Sequence, residues 1–144
     1  MSFNSAAVAN QLVTILSGLP GMGAVQIGAP VNVGPQVSAY VTLGGQTVTR
    51  KTTGTTRRRS RFFCLLVYRL DGAETTAETT LMNLADAFMD ALHSDATLGG
   101  TVLDLEATSA AADEPDYQVR GGKEYREYPI IVTVTQAGTY SVNP

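Results

Sequence analysis

The first clear pattern along the chain is helical. Val8, Leu12, Ile15, Leu16 and Leu19 recur at helical spacing and mark one apolar stripe, which predicts a helix from Ser5 to Leu19. Asn4 or Ser5 can cap its start, and Gly18, Pro20 and Gly21 stop it. Residues 20 to 36 carry Gly and Pro throughout, so an extended connector is expected there. The period then changes to two. Val37, Ala39, Val41 and Leu43 alternate with Ser38, Tyr40 and Thr42, the pattern of a half-buried strand. Gly44-Gly45 permits a tight hairpin turn, with Gln46 to Lys51 as the return strand.

Thr52 to Ser60 has no apolar residue with which to bury itself, and reads as a mobile basic loop. Arg61 to Leu70 is nearly continuous in apolar residues, as expected of a central strand. Asp71 and Glu74 suit a capping box. From Glu74 to about Ser94 the periodicity is helical again. Ala77, Leu81, Leu84, Ala85, Phe88 and Leu92 fall on one face, and Thr79, Asn83, Asp86, Asp90 and His93 on the other. After Gly99-Gly100, Thr101 to Ala107 reads as a strand, 108 to 121 as a loop, and Glu124 to Gln136 as a last strand. A loose tail is expected from about 138 to 144. The order predicts a single α+β domain over 1–144. A mixed or antiparallel sheet packs against an N-terminal helix and one long helix, with an early β-hairpin bearing the basic loop.

Charge sharpens this picture. Residues 1 to 49 contain no charged side chain, six of the ten basic residues lie between Arg50 and Arg61, and all thirteen acids lie at Asp71 or later. A free monomer spreads charge over its surface, whereas interface centres are depleted in it. The uncharged third therefore has two explanations, a covered assembly surface or a neutral surface rich in Ser, Thr and Gln. The net charge of −3 argues against nucleic-acid binding driven by overall charge.

Candidate chemistry is sparse. Cys64 stands alone, so an internal disulfide and a cysteine zinc cage are excluded, and its place in an apolar run suits a small buried hydrophobe. The Gly18-Leu-Pro-Gly-Met-Gly segment follows a helix and lacks the Lys-Ser/Thr of a nucleotide cradle, so it reads as a helix stop. Asp86, Asp90 and His93 share one helix face and could ligate a metal. With one His in the chain, a solvated face is the better reading. Asp113, Glu114 and Asp116 lack the longer oxygen pattern and bend glycine of a calcium loop. No catalytic residue, metal or cofactor is expected. No basic segment precedes the N-terminal apolar stretch, so a secretory leader is not expected, and no apolar run approaches the roughly 20 residues that cross a bilayer. The one feature with chemical promise is the basic set Arg50, Lys51, Arg57, Arg58, Arg59 and Arg61. It can meet phosphates or an acidic protein surface, although a plain surface loop has the same composition.

In order and texture the chain resembles the tail terminator family of bacteriophages with long, non-contractile tails. The residues that carry the resemblance are the strand Phe62-Phe63-Cys64-Leu65-Leu66-Val67-Tyr68, the helix ending at His93, Leu98-Gly99-Gly100-Thr101-Val102, and Glu124-Tyr125-Arg126-Glu127-Tyr128-Pro129-Ile130-Ile131-Val132. The resemblance spans nearly the whole chain and is clearest from Arg61 to Gln136. It implies a structural virion protein of the neck, assembled in the host cytoplasm and without enzymatic activity. Such proteins form a homo-oligomeric ring, commonly a hexamer, that caps the head-proximal end of the tail tube and stops its polymerisation. The implied partners are copies of itself, the tail tube protein, a head-completion or stopper protein, and genome DNA passing through the lumen, with no membrane. Two other readings stay open: a head-completion or stopper protein of the neck, and a small non-specific nucleic-acid-binding module.

Overall fold

A computed structural model describes residues 3–28, 37–52, 55–70, 74–109, 116–120 and 123–139. Helix α1 (Ser5–Ser17) starts where the Asn4 side chain accepts the Ala7 N–H at 3.0 Å, which satisfies one of the orphan donors of the first turn. It ends at Gly18. Strands β1 (Met22–Ile27), β2 (Val37–Thr52) and β3 (Thr55–Arg69) precede α2 (Glu74–Ser94). Strands β4 (Asp104–Ser109), β5 (Asp116–Arg120) and β6 (Lys123–Thr139) follow it. The fold is α+β, as the sequence predicts. One six-stranded mixed sheet has the order β1-β2-β3-β6-β4, and β5 pairs with β6 beside β4. Among the described strands only β1 and β2 run parallel.

Both helices pack on one face of this sheet. Val8, Leu12 and Leu16 of α1 meet Val37, Ala39 and Val41 of β2. Leu81, Leu84, Phe88 and Leu92 of α2 meet Phe62, Cys64 and Leu66 of β3 and Ile130, Val132 and Val134 of β6. The long helix therefore splits as its periodicity requires, with Asn83, Asp86, Asp90 and His93 exposed. Arg126 of β6 ties it down further, because its Nε lies 2.6 Å from Glu78 Oε1. Among the described residues the opposite face carries a smaller cluster, Tyr40, Val67 and Tyr125 with Leu65, and Ser38 and Glu127 are buried beside it.

The structure corrects the expected hairpin. Gly44-Gly45 is not a turn. Strand β2 runs through it, and the register moves from Leu43↔Phe62 to Gln46↔Ser60, which places one extra residue in β2. This is a β-bulge, and it reverses which residues of β2 point to which face. Strands β2 and β3 pair with each other as far as Thr52↔Thr55, and residues 53–54 between them lie outside the described residues. The Thr52–Ser60 segment, expected to be a mobile basic loop over 51–60, is strand from Thr55 onward. Arg57, Arg58 and Arg59 pair with Thr49, Val48 and Thr47 on one side and with Ala137, Gln136 and Thr135 on the other. A hydrophobic partner is not needed when two neighbouring strands satisfy the backbone of a β-branched, Thr-rich segment.

Other boundaries shift for related reasons. The Gly/Pro connector holds the edge strand β1, the loop expected at 108–121 holds β5 and the end of β4, and β6 extends to Thr139. The expected capping box at Asp71, the acids Asp113 and Glu114, and the tail beyond Thr139 lie outside the described residues. Among the described residues, no helix is long and apolar enough to cross a membrane.

Candidate assembly and nucleic-acid interface

The three central strands are long, and beyond Phe62 their character changes from apolar to polar. Strand alternation then sorts the basic residues onto two faces. Phe62, Ser60, Arg58 and Thr56 point to the helix side. Phe63, Arg61, Arg59 and Arg57 point to the open side. Exposure agrees: Thr56 and Ser60 are buried, Arg58 is half-buried, and Arg57, Arg59 and Arg61 are exposed.

Arg58 is consequently part of the scaffold. Its Nη2 donates to Ser5 Oγ at 2.9 Å and to Gln136 Oε1 at 2.8 Å, and its guanidinium lies 4.4 Å from the Phe3 ring centroid. Gln46 Nε2 approaches Ser5 Oγ at 3.2 Å and Ser60 Oγ at 3.3 Å, and Gln136 Nε2 donates to the Thr101 carbonyl at 3.2 Å. This polar layer replaces hydrophobic packing where the core ends. It joins the start of α1 to β2, β3 and β6.

The open face presents the remaining arginines as a row. Arg57, Arg59 and Arg61 stand at alternate positions of β3, roughly 6.8 Å apart along the strand. Short hydroxyl side chains flank them: Thr47 and Thr49 on β2, Thr133 and Thr135 on β6. Among the described residues none of the three guanidinium groups makes an ion pair. The bulge opens a groove of about 420 Å³ beside the row, lined by Gly45, Gln46, Thr47, Arg59, Arg61 and Thr133. Further across the same face, Asp104 and Glu106 of β4 lie opposite Thr135 and Thr133 and are exposed. The open face is therefore polarised, basic at its centre and acidic at the β4 edge.

No known family model matches the chain, and no curated protein matches it in sequence.

The remaining candidates are quickly placed. Of the basic set, Arg50 pairs with Thr56 through its backbone in β2, and the side chains of Arg50 and Lys51 lie outside the described residues. Cys64 is fully buried, and desolvation pushes its thiol up from 9.0 to about 12, which removes it as a nucleophile at neutral pH. Asp86, Asp90 and His93 are exposed along α2, where His93 Nδ1 lies 3.3 Å from the Met89 carbonyl oxygen. Among the described residues no group of three or more His, Cys, Asp or Glu side chains could hold a metal ion. The sequence offered no hint of the groove or of the threonines beside it. Only the alternation of Thr56, Arg58 and Ser60 against Arg57, Arg59 and Arg61 could have done so, and an all-polar run hides its period.

Proposed function

We propose that the protein is a structural component of a phage virion, a tail terminator. In this reading it closes a homo-oligomeric ring on the head-proximal end of a tail tube, stops its polymerisation and presents a surface for the head. Its partners are the tail tube protein below and a head-completion protein above, and no enzymatic activity is assigned to it.

The observation that carries the reading is the distribution of charge across the sheet. The first 49 residues are uncharged, and they build α1, β1 and most of β2, one contiguous flank. Among the described residues the acids lie on α2, its following turn, β4, β5 and β6, the other flank. Two unlike flanks favour a head-to-tail contact, which generates a ring when its rotation closes, whereas a two-fold contact sets like on like. Apolar side chains stand ready on both sides. Ile27 and Leu43 are half-exposed on the neutral flank, as is Leu103 beside β4. The edge strand β1 carries none of the charges or prolines that usually block pairing with a further chain.

The test is the mass of the purified protein in solution, with negative-stain images taken before and after addition of purified tail tubes. Rings seated on one end of the tubes support the reading. Rings that ignore tubes and bind the head portal complex make it a stopper instead. A monomer that ignores both tubes and heads removes the assembly reading.

A further inference from the structure

We infer that the open face of the sheet is a binding surface for the phosphate backbone of duplex DNA, with Arg57, Arg59 and Arg61 as its contact row. This goes beyond the ring reading and stands on the sheet face alone.

Three features favour this ligand. The row is regular, because its members alternate along a single strand held on both sides, and it is exposed along its length. Its neighbours are short: Thr49 and Ala137 beside Arg57, Thr47 and Thr135 beside Arg59, and Thr133 with the glycine bulge beside Arg61, so none screens a guanidinium and the threonines can donate hydroxyl hydrogen bonds to phosphate oxygens. Beside it, the groove at the bulge brings Arg59, Arg61, Thr47 and Thr133 around a space large enough for a phosphodiester segment. A duplex carries a phosphate on each strand about every 3.4 Å of its axis, so a row of this length always lies near several of them. Among the described residues the one ring next to the row is Phe63, which is half-buried over Gly44, so no exposed ring is offered for base stacking and the contact is indifferent to sequence.

Asp104 and Glu106 set a limit to the surface. They lie two strands from the arginine row, roughly 9.6 Å across the sheet, and repel the same phosphates. The DNA therefore tracks along β2 and β3 and away from the β4 edge. Arg58, between two members of the row in sequence, faces the other way and is held by Ser5 and Gln136. It makes no contact with the ligand.

The experiment is fluorescence anisotropy of a labelled random-sequence duplex of about 30 base pairs, titrated with the full chain at several salt concentrations. Each variant is first shown to keep its circular dichroism and melting transition. The wild type is expected to bind with affinity that falls steeply with salt. The triple variant Arg57→Gln/Arg59→Gln/Arg61→Gln should bind tenfold or more weakly, with a log–log salt slope shallower by about 2–3. The corresponding triple Lys variant should restore binding. Asp104→Asn/Glu106→Gln should bind more tightly than wild type, and Arg58→Gln as wild type does. The inference is overturned if the wild type ignores DNA at 50 mM salt, or if the Gln triple binds like wild type. It is equally overturned if the triple loses only self-association, which would make the row a contact between copies. Because none of these readouts uses tail tubes, failure here leaves the terminator reading standing, and failure on tubes leaves this one standing.

Discussion

The Phe63 ring occupies the space that a side chain on Gly44 would need: a β-carbon there would collide with Phe63 Cε2 and lie 3.2 Å from the Arg61 carbonyl oxygen. The two residues lie on adjacent strands at the bulge, next to the register Thr42↔Phe63 and Leu43↔Phe62. The glycine lets the ring lie across the β2 backbone, and the extra residue turns Thr47 and Thr49 toward the arginine row.

Gly44→Ala should therefore force the ring aside and destabilise the protein by roughly 1–3 kcal/mol, as overpacking does. Urea unfolding measures it. In a Phe63→Ala background most of the cost should vanish, because the obstructing ring is gone. An equal cost in both backgrounds would show that the contact is not the cause.

Phe88 is fully buried between α2 and the sheet. Phe88→Ala removes a whole ring from the centre of the core and should cost about 3–5 kcal/mol. A melting temperature close to that of the wild type would refute this packing.

Arg58→Met keeps much of the side-chain volume and removes the hydrogen bonds to Ser5 and Gln136. Losing bonds to a charged donor should cost about 1–3 kcal/mol. The loss should be local, so backbone amides in the first turns of α1 and at the Gln136 end of β6 should exchange faster while those of α2 keep their protection. Uniform loss of protection would contradict a local joint.

The thiol of Cys64 should be silent toward disulfide reagents in the folded protein and react fully on unfolding. Burial raises its folded-state value to about 12 against an ordinary 9.0. The unfolded chain therefore releases this proton first as pH rises. The contribution of Cys64 to stability is intact below pH 9 and declines between about 9 and 12. Denaturant midpoints of the wild type and of Cys64→Ala across that range check the sign: the wild type should lose the more stability.

Long periodic elements could be read directly from the sequence. Over 21 residues α2 repeats its apolar positions often enough to define a face, and β2 and the inner half of β3 carry alternating or continuous apolar runs. The elements that could not be read were those without contrast between faces. Strand β1 is short and embedded among glycines, β5 has five residues, and Thr55–Arg61 is polar on both sides. Thr55–Arg61 is placed by β6, distant in sequence, whereas β1 pairs with the next strand and β5 with the start of β6, too short in each case to show a period of their own. The arginines were visible as residues, but their division into one structural and three outward-facing groups required the strand and its bulge.

The position of β3 between its sequence neighbour β2 and the chain's last strand has a kinetic consequence. As the chain leaves the ribosome, β2 and β3 emerge early, but the other edge of β3 stays open until β6 has been made. Until then Phe62, Cys64 and Leu66 lack the Ile130–Val134 half of their core, and the Thr-rich end has neither core nor second partner strand. Completion therefore waits on contacts of high sequence separation, which are slow to form. A chain truncated before β6 should collect as aggregates held together through that unpaired edge.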